Sequence, residues 1–478
     1  MILMNPEAKE KLEGIFGDRV RFDRDEALVY SHDLATLPDP VNLLIKTVPD
    51  AVVLPKSTEE IVKLIKIAGE FGIPVVPRGA GSGGYGGALP VDGGIVVDMS
   101  FMNSIIEIDE ENMIAIVEPG VVWKDLEHEI NKRGLSLRVY PTSAPSATVG
   151  GWVAQGGWGV GSLTYGSVVD NIEELEFVDG LGEIRVIRNR MKLDLVAECE
   201  GITGIITKVA IKLKSLEDMV PIVVQFPSAT ALSMVIERIL AEMNPYTLNF
   251  ATPKFIKMKQ EATGHRSLDE KYTAMFVFTE EEYGRVKETF SAIVAEYLGI
   301  IHEGEVAIEE WNERFYPMRL KRLGPTVIPS EAIIPIGNLG DFLMAVETEL
   351  GEFALGIEGW VIGPDKVSVL AFFLDDERSK RFTFSFGKSI VILNLAKKFE
   401  GKPYSTGLWL SHEAEEYFGK KRLSEILKFK KKFDPYGILN PGKIFPARIR
   451  GIPFVDIGKM MKIGTPFLEF AGKSLGKK

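Results

Sequence analysis

The spacing of apolar positions sets the first picture. Val52-Val53-Leu54 reads as a short strand, and beyond it Ile61, Leu64, Ile65 and Ala68 recur at i, i+3, i+4 and i+7, one face of a helix. Ser57 or Thr58 is placed to cap that helix, and Gly72 follows its last turn. Ile73-Pro74-Val75-Val76-Pro77 predicts a second strand, then comes a glycine-dense loop, then the buried-strand run Gly94-Ile95-Val96-Val97-Asp98. The order is β-α-β-loop-β. Two more strand patterns, Ile105–Ile108 and Ala115–Glu118, close on Pro119-Gly120, and 123–133 predicts a short amphipathic helix ended by Gly134. A second glycine-rich stretch covers 149–166. From Met219-Val220-Pro221-Ile222-Val223-Val224 onward the glycine clusters thin out, which marks a second domain. A Pro/Gly turn signature, Phe433 to Lys443, closes the patterned region. The chain is predicted to be α+β.

Composition narrows this. At 478 residues the chain is long enough for about two to four domains. A net charge of −11 argues against a protein built to bind nucleic acid through a basic excess. One cysteine, Cys199, excludes an internal disulfide framework and any iron–sulfur cluster held by this chain alone. Neither a secretory leader nor a long apolar run is seen, so the cytoplasm is the default expectation. Three glutamines, Gln155, Gln225 and Gln260, among many Lys and Glu match the usage of heat-adapted proteins.

Pro77-Arg78-Gly79-Ala80-Gly81-Ser82-Gly83-Gly84 satisfies GxGxxG at Gly79, Gly81 and Gly84, and Asp98 lies where a ribose-binding acid of a dinucleotide fold would fall. That fingerprint needs a helix opening at the loop, since the helix N-terminus supplies the pyrophosphate site. Only Tyr85 to Gly93 separates the loop from the next strand, and Gly86, Gly87 and Pro90 lie within it, so no helix fits. What remains is a nest of backbone N–H groups suited to an anion.

Several ordered motifs carry a family resemblance. They are Val53–Ile61, Ile73–Gly81, Gly94–Asp98, Val117–Val121, Pro141–Gly151, Tyr165–Asn171, Cys199–Thr207 and the closing Asp434–Lys443 turn. Together they resemble the FAD-binding domain of the vanillyl-alcohol oxidase/p-cresol methylhydroxylase superfamily, in its glycolate oxidase and D-lactate dehydrogenase branch. The resemblance implies a two-subdomain FAD-binding domain over 1–217, a cap domain of antiparallel sheet and helices over 218–414, a return to the FAD domain over 415–446, and a tail over 447–478. It implies that Pro77, Arg78, Gly79, Ala80, Gly81, Ser82, Gly83 and Gly84 wrap the pyrophosphate. It further implies that Pro141, Thr142, Ser143, Thr148, Gly150, Gly151, Gly157, Tyr165 and Gly166 line the FAD path, with Gly201, Gly204, Ile205 and Ile206 against the adenosine half. Asn440 and Lys443 would approach the flavin ring or the substrate beside it. Some members attach the flavin through His or Cys, but neither type occurs in 77–87 or 141–166, so non-covalent FAD is expected.

The chain departs from the pattern of members that oxidise D-2-hydroxy acids. Those carry a His-x-Gly-Asp-Gly-Asn-x-x-His-like segment and a Gly-Glu-His-Gly segment, whereas the matching stretches here, Gly356–Asp365 and Phe399–Gly407, hold no histidine. His32, His128, His265, His302 and His412 show no paired metal spacing, so no catalytic metal is expected. A planar guanidinium suits a substrate carboxylate. Within Trp311–Arg322, Arg319 is the foremost clamp candidate against an ordinary solvated helix face. For the base that takes the hydroxyl proton, His412 ranks before His302 and Tyr404, and each also reads as an ordinary packed or surface residue.

The leading expectation is an FAD-dependent dehydrogenase that oxidises a small 2-hydroxy acid such as D-lactate or glycolate and passes electrons to an iron–sulfur partner protein. Two alternatives stand beside it: an electron-transfer flavoprotein without substrate chemistry of its own, and a flavoenzyme acting on a sugar, polyol or ether-lipid precursor. The tail carries seven Lys/Arg against two acids among apolar residues such as Phe454, Met460 and Phe467. Such a segment suits an anionic membrane surface or a partner. Gly458, Gly464 and Pro466 interrupt any long helix there, which favours packing on the body or on a partner.

Overall fold

The computed structural model describes residues 4–34, 45–315, 317–351, 353, 355–379, 382–445 and 466. Apart from Pro466, the tail expectation lies outside these. The described residues form two compact units. One holds 4–34, 45–157, 168–215 and 405–445, and the other holds 158–167, Pro466 and the described parts of 216–404. The return to the first unit thus begins at Ser405. Residues 158–167 join the second unit because Thr164 donates its hydroxyl to the Tyr246 carbonyl at 3.1 Å, and Trp158 shares two 2.9 Å bonds with the Tyr404 hydroxyl.

In the first unit, strands β1 (Val20–Arg21), β2 (Ala51–Val53), β3 (Val75–Arg78) and β4 (Ile95–Asp98) lie in the order β1-β2-β4-β3. Both β2 and β3 run parallel to β4, with Val53 opposite Val97 and Val76 opposite Val96. The intervening helix, Thr58–Phe71, starts where Ser57 accepts from the Glu60 N–H and stops at Gly72 in the left-handed region. Its buried stripe of Ile61, Leu64, Ile65 and Ala68 packs with Ala51, Val53, Val75, Ile95 and Val97. A second sheet is antiparallel. It holds β5 (Ile105–Asp109), β6 (Ile114–Val117), β7 (Leu135–Leu137), β8 (Ile172–Val178), β9 (Ile184–Ile187) and β10 (Ile205–Ser215). Their order is β5-β6-β10-β8-β9, with β7 on the far end of β10.

The closing segment docks onto the first sheet. Val75 donates to Ile438 O and accepts from Asn440 N, both at 2.8 Å, so the segment runs beside β3 as an extra bridge. Asp434 shapes that segment: its buried carboxylate accepts from the N–H groups of Ile438 and Leu439 at 3.0 and 3.1 Å and from Lys430 Nζ at 2.7 Å.

The second unit is built on one antiparallel sheet. Its strands are β11 (Met219–Phe226), β12 (Thr247–Ala251), β13 (Tyr272–Thr279), β14 (Ile300–His302), β15 (Thr326–Pro335), β16 (Leu355–Gly363), β17 (Lys366–Asp375) and β18 (Lys402–Pro403). They lie in the order β14-β11-β13-β12-β16-β17-β15-β18. Period-two alternation separates its faces. Phe276 and Phe278 hold Phe290 of the helix Glu280–Glu296 on one face. On the other, Phe255 of the helix Pro253–Thr263 meets Phe372 at 5.9 Å. Among the described residues no helix is long and apolar enough to cross a membrane.

Asp434→Ala removes two turn bonds and the carboxylate partner of the Lys430 ammonium, leaving that ammonium only its bonds to Ile202 O and Leu439 O. It is expected to destabilise the protein by about 3–5 kcal/mol, the cost of breaking a buried pair. A denaturant midpoint equal to that of the wild type would contradict this role.

Candidate functional site

An open cavity of about 960 Å³ lies in the first unit. Its wall comes from the loop after β3 (Arg78–Gly83), the start of the helix Val149–Gln155 and the bend into β10. Among the described residues, no group accepts a hydrogen bond from the backbone N–H groups of Gly81, Ser82, Gly83 and Gly84. Arg78 adds a guanidinium at the wall, oriented by its bond to His32 O at 2.8 Å and its position 5.4 Å from the Tyr30 ring. Desolvation holds the Arg78 pKa below its ordinary value, and Asp33 opposes that. Tyr30 is in turn fixed by a 2.7 Å bond to Asp98. The acid that mimicked a ribose-binding residue is thus a structural anchor.

Two glycines are required by close approach. A Cβ on Gly79 would lie 2.2 Å from Thr148 Oγ1, the cap of the helix Val149–Gln155, and one on Gly87 would lie 2.4 Å from Glu200 Oε2. The backbone at Glu198 and Glu200 is itself strained, with φ of 56° and 52°. That bend turns the Glu200 side chain inward, where its carboxylate accepts from Gly407 N at 3.1 Å and its carbonyl accepts from Asn440 Nδ2 at 2.5 Å. Burial pushes the Glu200 carboxyl up to about 7. Lys443 is fully buried, and its ammonium donates to Leu89 O at 2.7 Å and Asn440 Oδ1 at 3.3 Å. Burial lowers it to about 8, opposed by the charges of Glu200 and Asp33.

Of the residues singled out from sequence, Pro77, Arg78, Gly79, Ala80, Gly81, Ser82, Gly83, Ser143, Thr148, Gly150, Gly151, Gly201, Gly204, Ile205 and Ile206 line this cavity. Asn440 and Lys443 brace its wall from behind through Gly87, Leu89 and Glu200. Gly84, Pro141, Thr142 and Gly157 belong to the same unit but not to its lining, and Tyr165 and Gly166 belong to the second unit, where Tyr165 packs edge-on against Tyr246. Glu200, Asp33 and Gln155 line the cavity without having been singled out.

A second cavity, about 590 Å³, lies within the second unit. Its floor is one face of the large sheet: Val223, Met275 and Asn249 in one row, and Thr273, Ala251 and Glu358 in the next. Phe255, Ile256 and Lys259 of one helix and the segment carrying Glu310, Glu313, Arg314 and Arg319 close over it. Arg319 therefore reaches a cavity, where it bonds to the Glu313 carboxylate and donates to the carbonyls of Glu313 and Phe315 at 2.6 Å each. Neither cavity is lined by His412, His302 or Tyr404. His412 sits 3.5 Å from Glu413, His302 is on the edge strand β14, and the Tyr404 hydroxyl is held by Trp158. The acid that does reach the second cavity is Glu358, pushed up to about 7 by burial against the charges of Lys259 and Arg319. Its signal in the sequence was a lone charge inside the apolar strand Leu355–Gly363. Among the described residues no group of three or more His, Cys, Asp or Glu is placed to hold a metal ion.

Residues 49–188 match the family model described as an FAD binding domain, and 216–444 match that of the C-terminal domain of FAD linked oxidases. The chain is 27% identical to glycolate oxidase subunit GlcD of Bacillus subtilis, over 94% of this chain and 98% of that one. It is 30% identical to a D-lactate dehydrogenase of Archaeoglobus fulgidus, over 82% and 90% of the two. A solved p-cresol methylhydroxylase has the same fold, with a TM-score of 0.77 at 18% identity over 92% of this chain and 96% of that one.

The first cavity fits FAD on its own chemistry. Free backbone N–H groups and the Arg78 guanidinium meet the needs of a pyrophosphate, and the missing Cβ at Gly79 keeps the loop against the capped helix. Gly79→Ala puts a methyl against Thr148 Oγ1 and is expected to yield folded protein with less than about a tenth of the wild-type flavin content, since losing a few charge-assisted bonds costs about 1.5–3 kcal/mol each. Full flavin absorbance per protein would contradict this.

Lys443→Met tests the braced wall. At pH 6 Glu200 is largely protonated, so the variant loses mainly the ammonium's bonds, about 1–3 kcal/mol. Glu200 has a folded pKa above its unfolded value, so its contribution falls as pH rises from about 4.5 through 7. Without the Lys443 cation that fall steepens, so the deficit should widen between pH 6 and about pH 7.5 and level off as Lys443 itself loses its proton near pH 8. A pH-independent deficit would show that the two charges do not communicate.

Proposed function

This chain belongs to the FAD-linked oxidase family and is an FAD-dependent oxidoreductase of the D-lactate dehydrogenase and glycolate oxidase group, and from that premise we propose that its substrate is a small 2-hydroxy acid. The observation that carries this reading is the placement of Arg319 in the wall of a small cavity that sets apolar residues, Val223, Phe250, Phe255, Met275 and Leu320 among them, beside paired charges. A carboxylate entering that cavity exchanges with Glu313 for the planar face of the guanidinium, so the clamp stays neutralised in both states. Arg314, stacked 3.8 Å from Trp311, keeps the clamp segment in place.

Bound FAD supplies a two-electron acceptor for the carbinol hydride. The chain's own part is to orient the acid and receive the hydroxyl proton. FAD is held without a covalent bond in this reading, because neither His nor Cys occurs in 77–87 or 141–166. Electrons then pass to a separate protein, for which an iron–sulfur carrier is the natural class, since the single buried Cys199 gives this chain no cluster of its own.

Anaerobic flavin bleaching against D-lactate, glycolate, glycerol and a sugar alcohol tests the reading. A hydroxy acid is expected to bleach the flavin, and Arg319→Met should raise the concentration needed by about tenfold to hundredfold, the worth of a charge-assisted pair. In the same preparation acid precipitation should release the flavin to the supernatant. Bleaching by the polyols alone, or by none of the four, would overturn the hydroxy-acid assignment.

A further inference from the structure

The second cavity holds polar groups that its own walls leave unanswered. Glu358 is 9% exposed, and among the described residues its carboxylate makes no hydrogen bond or ion pair. Asn249, one row away on the adjacent strand, presents a buried Oδ1 that likewise has no partner. Every other charged group around the cavity is already engaged. Lys259 pairs with Glu310 at 2.6 Å, Arg319 bonds to Glu313, and Arg314 lies over Trp311 and donates to its carbonyl.

Buried acceptors without donors cost about 1–3 kcal/mol apiece. Two of them, one row apart on a sheet floor and open to a cavity, are groups waiting for a donor that the described residues do not supply. Both Glu358 and Asn249 Oδ1 are acceptors, so what they lack is a donor, and the hydroxyl of an alcohol supplies one. In the same two rows Val223, Met275 and Ala251 are apolar and Thr273 adds a hydroxyl, so Glu358 and Asn249 are the acceptors that such a group meets on the floor.

We propose that Glu358 and Asn249 form a hydroxyl-accepting subsite on the floor of this cavity, which receives the alcohol group of the substrate while its carboxylate lies toward Arg319. The assignment of the carboxylate end rests on the hydroxy-acid reading above; the alcohol end does not. Oxidation of the carbinol to a C=O would release one proton from its O–H, which the Glu358 carboxylate would take, and one hydride from its C–H, which FAD would be competent to accept, so charge and atoms balance. The raised proton affinity of Glu358 suits that role, since a carboxylate of ordinary acidity would hold the proton poorly at neutral pH.

The test is direct binding to the FAD-loaded protein reduced with dithionite, in which the alcohol is not turned over. Calorimetry compares D-lactate with propionate, which differs by the hydroxyl alone, and separately titrates propane-1,2-diol. Wild type is expected to bind D-lactate about tenfold or more tightly than propionate, and Glu358→Leu to bring the two within about twofold. Asn249→Ala should narrow the same ratio, and Glu358→Gln, nearly isosteric and so the safer variant for folding, should fall between. Thermal unfolding establishes that each variant is folded. An unchanged ratio in both Glu358 variants overturns the subsite while leaving the hydroxy-acid reading intact. If wild type binds neither acid, that reading falls, and the diol decides the subsite alone: binding lost in Glu358→Leu supports it, and binding absent or unchanged overturns it.

Discussion

The first unit depends on one short piece of backbone pairing. Val75 exchanges two main-chain bonds with Ile438 and Asn440, and this closes a chain loop of more than three hundred residues onto the strand that launches the glycine loop. A loop of that length costs little more entropy to close than one of half its size, because the penalty grows only with the logarithm of length. What it secures is local. Asn440 and Lys443 reach Gly87, Leu89 and Glu200 only because the closing segment runs beside β3, and the left-handed backbone at Asn440 and Ile444 turns them inward. Asp434 makes the approach possible by capping the turn before it.

The cavity of the first unit has two electrostatic sides. On the loop side, backbone N–H groups and Arg78 present positive potential without a helix behind them, which separates this site from a dinucleotide fold with the same glycine spacing. On the other side Glu200 and Lys443 are buried within reach of one another's charge, each shifted toward neutrality by desolvation. Both then titrate near neutral pH, so the wall's charge responds to small changes around it.

The fold was legible in the sequence where local rules operate. The 3.6-residue stripe of Ile61 to Ala68, its Ser57 cap and Gly72 stop, and the β-loop-β order around Gly79 all follow from spacing and are seen as expected. That no helix opens at the glycine loop was readable because so short a segment leaves no room for one. What spacing does not carry is which distant segments share a wall. Tyr165 and Gly166 follow Gly157 in sequence, yet Thr164 bonds to Tyr246 and takes them into the other unit. Glu358 escaped notice for a related reason. Ranking by residue type looks for histidine, whereas the informative feature is an acid inside an apolar strand that period-two alternation turns to the same face as Asn249 and Thr273.

That face also explains how the second cavity tolerates so much charge. Lys259, Arg314 and Arg319 are set against Glu310, Glu313 and Glu358, and three cations with three acids leave no net charge when all are ionised. Five of the six are tied by ion pairs or ring stacking, and burial raises the proton affinity of the sixth, Glu358. With Glu358 protonated the cavity carries a net positive charge and admits an anion; with it ionised the cavity is neutral and resists a second negative charge. On the proposed reading, a carboxylate entering beside Arg319 would therefore raise the proton affinity of Glu358 further. Binding of the anion and acceptance of the hydroxyl proton thus favour opposite protonation states of Glu358, so the two can be met together only over a limited range of pH around its pKa of about 7.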